Sequence, residues 1–127
     1  MKPKTIKITY WVLLGLLCLM LAADGYGGIT KQQAGVDALN HLGYPAYLLP
    51  LFGVWKWLGV IALLQTKYTG IKEWVFAGVA FTFIGATYSH LATKDTVGET
   101  VAPLIALVFL FAVYTIWNKY EQIKNIA

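Results

Sequence analysis

Lys56 is the residue whose setting most demands a chemical account. It falls in Phe52-Gly53-Val54-Trp55-Lys56-Trp57-Leu58-Gly59, near the middle of an apolar run. An amine at the centre of a membrane-spanning helix costs about 3 kcal/mol on insertion scales, unless it reaches water, loses its proton or finds a partner. Gly53, Lys56, Gly59 and Val60 share one helical face, so a second helix can approach closely around the amine. Asp24 and His90 close two other apolar runs. Side chains lean toward the N-terminus of their helix, so Lys56 leans outward along its run while Asp24 and His90 lean inward, and the three are expected to converge. Such a group can share protons or bind an anionic or carbonyl-bearing small molecule; an ordinary salt bridge beside an interfacial histidine is the plain alternative. Tyr47 and Tyr88, with Tyr44, suit an aromatic pocket for a flat ring or serve as interface anchors. His41 is the only other histidine, and no ligand set has metal-binding spacing, so no metal centre is expected within the chain. No complete catalytic motif is present.

The elements that must position these residues follow from composition. Of 127 residues, 58% are hydrophobic and 13% charged, whereas soluble domains keep roughly a quarter of their residues charged. The apolar runs predict helices over about 8–24, 46–65, 73–91 and 100–118, each near the length that spans a bilayer core of about 30 Å. Lipid cannot satisfy the backbone of open strands, and the many alternating segments of a barrel are absent. The expected fold is therefore an all-α integral membrane protein, a single domain over 1–127 built as a four-transmembrane-helix bundle. The basic start followed by an apolar stretch also resembles a secretory signal. A cut after Ala23 would put Leu21 where a small residue is wanted, so cleavage is not expected.

All ten basic residues are lysine and the net charge is +4. They lie between apolar runs, which fits topology rather than nucleic acid. Lys2, Lys4, Lys7, Lys67, Lys72, Lys119 and Lys124 fall on one side, against Lys31 and Lys94 on the other. The first side, with both termini, is predicted to be cytoplasmic. Trp11, Trp74 and Trp117 fall at that interface, and Asp24, Asp37, Asp95 and Glu99 at the opposite face. Cys18 is the only cysteine, which excludes an internal disulfide or a CxxC pair.

Between the first two spans, Thr30 and Gln33 have capping-box spacing and Gly43-Tyr44-Pro45 gives a stop, predicting a short outer-face surface helix over about 31–42. Thr96 and Glu99 repeat the spacing before the last span. In the third span, Gly78, Thr82, Ala86 and His90 recur at fourfold spacing beside Gly85 and Ser89. This stripe reads as a helix-packing seam or as one wall of a cavity.

At these residues the chain resembles the DoxX-like family of small bacterial membrane proteins. The resemblance rests on His41-Leu42-Gly43-Tyr44-Pro45-Ala46-Tyr47, Lys56-Trp57-Leu58-Gly59, Lys72-Glu73-Trp74-Val75-Phe76-Ala77-Gly78 and Gly85-Ala86-Thr87-Tyr88-Ser89-His90, in the family's order over nearly the whole chain. It implies a four-helix membrane fold and a multi-pass protein of the bacterial cytoplasmic (inner) membrane. The family name derives from a subunit associated with thiosulfate and quinone oxidation, and most members have no assigned reaction.

The expected function is that of an accessory membrane protein without a complete catalytic site. It would bind a small hydrophobic ligand or a partner subunit through Lys56, Asp24, His90, Tyr47 and Tyr88. The alternatives are a quinone-linked oxidoreductase subunit receiving electrons from another protein, with Lys56 or His90 on a quinone carbonyl, and a small transporter. The glycine faces also permit a homo-oligomer. The lipid bilayer is the expected surrounding, no nucleic acid is expected to bind, and quinone is the cofactor class considered, with none held by the chain's own motifs.

Overall fold

The computed structural model describes residues 2–126. They form five helices and, among the described residues, no strand: α1 (Pro3–Ile29), α2 (Gln33–Leu42), α3 (Leu48–Leu64), α4 (Thr69–Ala92) and α5 (Val97–Ile126). Helices α1, α4 and α5 are long and apolar enough to cross a membrane. Helix α3 is equally apolar and has 17 residues, about 25 Å at 1.5 Å per residue. Helix α1 packs chiefly on α3 and α5, and α4 on α5. The termini and the α3–α4 turn lie at one end, where Lys124 Nζ reaches the Thr66 carbonyl at 3.5 Å. The α1–α2–α3 and α4–α5 connections lie at the other, the loop end.

The half nearest the termini holds the core. Tyr10, Leu14, Leu17, Cys18 and Leu21 recur every three or four residues along one face of α1 and meet Val60 and Leu63 of α3, Phe76 of α4 and Leu110, Val113 and Trp117 of α5. Tyr10 stacks on Tyr120 with centroids 4.7 Å apart, and Phe76 on Trp117 at 5.4 Å. Within this aromatic layer Lys72 is 1% exposed. Its ammonium donates to the Tyr10 hydroxyl at 2.6 Å and lies over the Tyr10 and Trp117 rings, 5.2 and 5.7 Å from their centroids. Two residues that the sequence assigns to the cytoplasmic side are enclosed by the bundle: Lys72 lies between the Tyr10 and Trp117 rings, and Trp117, 2% exposed, is a core residue whose indole N–H donates to Glu121. Trp74, 81% exposed, does sit outside.

Helix α1 continues past the predicted end at 24, through Gly25, Gly27 and Gly28. A Cβ on Gly25 would lie 2.9 Å from the Gly53 carbonyl, on Gly28 2.8 Å from the Leu49 carbonyl, and on Gly53 2.6 Å from the Gly25 carbonyl. These glycines form the α1–α3 contact rather than a loop. The expected seam on α4 behaves differently: Gly78 and Gly85 meet nothing within 4 Å, so that stripe is not packed inside the chain.

Helix α2 starts at Gln33, and Thr30 caps the preceding helix instead, donating to the Tyr26 carbonyl at 2.8 Å. The expected Thr30–Gln33 capping box is thus not formed. Gly43, at φ 85°, ends α2 as anticipated, with the Tyr44 N–H bonded to the Leu39 carbonyl at 2.9 Å. None of α2 is buried. At the start of α5, the Glu99 N–H donates to Thr96 Oγ1 at 3.2 Å, as the second capping-box spacing anticipates. Large apolar side chains face outward along the long helices, among them Leu16, Leu19, Ile61, Phe81, Ile84, Ile105, Val108 and Phe111, as befits a bundle solvated by lipid.

Candidate functional site

The loop-end half opens into a groove of about 430 Å³ lined by Asp24, Lys56, Thr82, Phe83, Ala86, His90, Glu99, Ala102 and Pro103. Each of the four apolar helices supplies one ionisable side chain: Asp24 from α1, Lys56 from α3, His90 from α4 and Glu99 from α5. The glycine contact described above sets the first pair, because Gly25 and Gly53 let the two backbones approach and bring Lys56 Nζ to 3.7 Å from Asp24 Oδ2. That separation exceeds the 2.7–2.9 Å or so of a charged hydrogen bond, and the side chains are 29% and 61% exposed. The amine therefore keeps donors for another acceptor in the groove.

The residues 82, 86 and 90 place Thr82, Ala86 and His90 on one face of α4, and that face is the groove wall. Pro103 adds an apolar surface opposite and, lacking an N–H, leaves the Glu99 carbonyl without its usual helical donor.

Beyond α4 the chain turns through Lys94, whose left-handed φ of 57° folds Asp95 back over the last turn. Its N–H bonds the His90 carbonyl at 3.0 Å. Its carboxylate, 5% exposed, holds two imidazoles: His90 Nδ1 at 2.6 Å on Oδ2, and His41 Nε2 on Oδ1. Hydrogen bonds from His90, then from His41, hold the Asp95 carboxyl down to about 2. The same bond raises His41 above its ordinary value. With a carboxylate that only accepts, both rings donate, and His90 presents Nε2 elsewhere. Tyr44 ties the α2–α3 connection to α4 through its hydroxyl, 2.6 Å from Ser89 Oγ. Because Ser89 donates to the Gly85 carbonyl at 2.9 Å, Tyr44 is the donor.

Of the residues singled out in the sequence, Lys56, Asp24 and His90 line one groove, whereas Tyr47 and Tyr88 are 71% and 72% exposed and do not line it. Tyr88 lies two positions from both Ala86 and His90, which turns it to the far side of α4. Tyr47 precedes the first residue of α3. The sequence does not single out Glu99, Asp95 and His41 as site residues. Glu99 reads there as a cap and an outer-face acid, and Asp95 reaches His90 only because the turn doubles back, a feature without a spacing signature.

No curated protein and no solved structure matches this chain. Residues 12–113, from the third turn of α1 to the middle of α5 and including every groove residue, match the DoxX-like family. The chain belongs to the DoxX-like family.

Proposed function

We propose that this is a four-span protein of the bacterial inner membrane, with α1, α3, α4 and α5 crossing the bilayer, α2 on the outer surface and both termini cytoplasmic, and that it binds a small amphipathic molecule in the loop-end groove. The observation that carries this reading is that all four apolar helices deliver an ionisable side chain to one open groove. Lys56 lies eight residues into α3, about 12 Å along the helix axis, so the groove runs from the interface toward the bilayer interior. Polar groups at that depth carry a desolvation cost that packing alone would remove by substitution, and they mark binding sites by default. Phe83, Ala86, Ala102 and Pro103 accept an apolar body. The Lys56 amine donates to a carbonyl or hydroxyl oxygen, and Asp24, Glu99 and the unengaged nitrogen of His90 accept from a hydroxyl.

The chain then works as an accessory or ligand-binding protein rather than as an enzyme complete in itself. A quinone or quinol is one ligand of this chemistry, with carbonyl or hydroxyl oxygens on an apolar ring. In that case the protein is the membrane subunit of a quinone-linked oxidoreductase whose electrons come from another chain.

The test compares wild type with Lys56→Met, each purified in mild detergent, extracted and searched for small molecules by mass spectrometry. A quinone or other defined amphipathic compound in wild type, lost from the variant, is the expected result. If both preparations lack one and are equally stable, the groove is a packing or partner-docking feature and the proposal fails.

A further inference from the structure

We infer that His90, Asp95 and Glu99 bind one divalent transition-metal ion at the loop end of the bundle, with His41 fixing the Asp95 carboxylate from the other side. One ligand atom from each of the three residues lies within 4.8 Å of the other two. In a tetrahedral site, donors sharing an ion at about 2.0–2.2 Å stand roughly 3.3–3.6 Å apart. The exposed Glu99 side chain is free to close the remaining distance.

The surroundings suit an ion. His90 stands in the last turn of α4 and Glu99 in the first turn of α5, so two rigid helix ends flank the donor set, with Asp95 folded back between them. Asp95 and Glu99 bring two carboxylates to one turn, while the groove's only lysine, Lys56, faces Asp24; a dication balances the pair. One imidazole and two carboxylates favour a borderline ion such as Zn²⁺, Co²⁺ or Mn²⁺ over Mg²⁺ and Ca²⁺, which prefer all-oxygen sites. For Nδ1 to ligate the ion, the proton it shares with Asp95 moves to Nε2, so the neutral imidazole binds as its other tautomer with no net proton or electron exchanged. His41, bonded to the remaining Asp95 oxygen, is the kind of outer partner that orients a ligating carboxylate. His90 and Glu99 also line the groove, which leaves the ion's remaining positions open to water or solute.

This inference does not require the groove to hold an amphipathic molecule, and the two fail separately. The full chain in mild detergent is stripped with a chelator and dialysed against Zn²⁺ in excess Mg²⁺, and bound metal is counted by mass spectrometry. Wild type and Lys56→Met are expected to retain one Zn²⁺ per chain. Glu99→Gln and His90→Ala are expected to retain none, and His41→Ala to bind roughly 10- to 100-fold more weakly. Co²⁺ loaded in place of Zn²⁺ should give a visible absorption band in wild type that Glu99→Gln lacks. Glu99→Gln keeps the shape of an exposed side chain, so its fold, checked by circular dichroism, stays comparable. Wild type without Zn²⁺, or a folded Glu99→Gln that binds it as tightly as wild type, overturns the inference.

Discussion

In the half of the bundle nearest the termini, Lys72 is sealed between the Tyr10 and Trp117 rings and bonded to a phenol; in the loop-end half, Lys56 stands in an open groove beside a carboxylate. The first half is a packed core in which the amine is a structural component. Large aromatic and branched residues from all four long helices interlock there, and van der Waals packing is what holds helices together in lipid. The second half is spaced by glycines at the α1–α3 contact and open between α3, α4 and α5, and its Asp24, Lys56 and Glu99 side chains stay accessible. A charge within an apolar helix is thus a poor guide to function until its enclosure is known. The more deeply buried lysine of this chain belongs to the scaffold, and the half-exposed one belongs to the groove.

The largest effect that can break this contrast is Trp117→Ala. It removes a 2% exposed indole together with the π face over Lys72 and the donor to Glu121, and should cost about 3–5 kcal/mol. Phe83→Ala, in the half-buried groove wall, should cost well under half of that. Unfolding in mixed micelles, followed by helicity, measures both. Equal losses would mean that the two halves are not mechanically distinct.

Next in size is Gly53→Ala. The added methyl would lie 2.6 Å from the Gly25 carbonyl and 2.8 Å from the Ile29 nitrogen, backbone atoms that move only if α1 and α3 separate. Overpacking of this kind costs about 1–3 kcal/mol, and it should widen the Asp24–Lys56 pair as well. Gly59→Ala is the matched control, since its methyl would find only Val75 Cγ1 at 3.5 Å and should be tolerated. If thermal unfolding of the two variants coincides, the glycine contact does not set the groove.

Much of this arrangement was legible because it follows from helical geometry. Apolar runs of spanning length fix the helices, and the lean of side chains toward helix N-termini brings Asp24, Lys56 and His90 to one depth. What was not legible depended on tertiary detail. Gly25 and Gly28 fall beyond the predicted end because the apolar run closes at Asp24, yet they stay helical against a partner backbone close enough to exclude any Cβ. The enclosure of Lys72 has no local signal, because Tyr10 and Trp117, distant in sequence, close over it. Tyr88 has the depth expected of a site residue, but its position on α4 turns it away. Asp95 was invisible because it depends on a left-handed Lys94, a conformation that lysine does not advertise.

The last variants, ending on the smallest expected effect, test the two amines directly. Tyr10→Phe removes the hydrogen bond to a 1% exposed ammonium and should destabilise by about 1–3 kcal/mol, the cost of a buried donor left without its acceptor. Lys72→Met, which removes the charge and keeps an unbranched side chain in the same space, should be neutral or stabilising. In the double variant, Tyr10→Phe should therefore lose most of its penalty. Lys56→Met, by contrast, deletes a 3.7 Å pair whose members are both solvated by the groove, and should change stability by less than about 1 kcal/mol. The four unfolding curves give the answer. A Lys72→Met variant less stable than Tyr10→Phe would make the buried amine a stabilising element in its own right, and a Lys56→Met loss of comparable size would make the groove lysine part of the same scaffold rather than of a site.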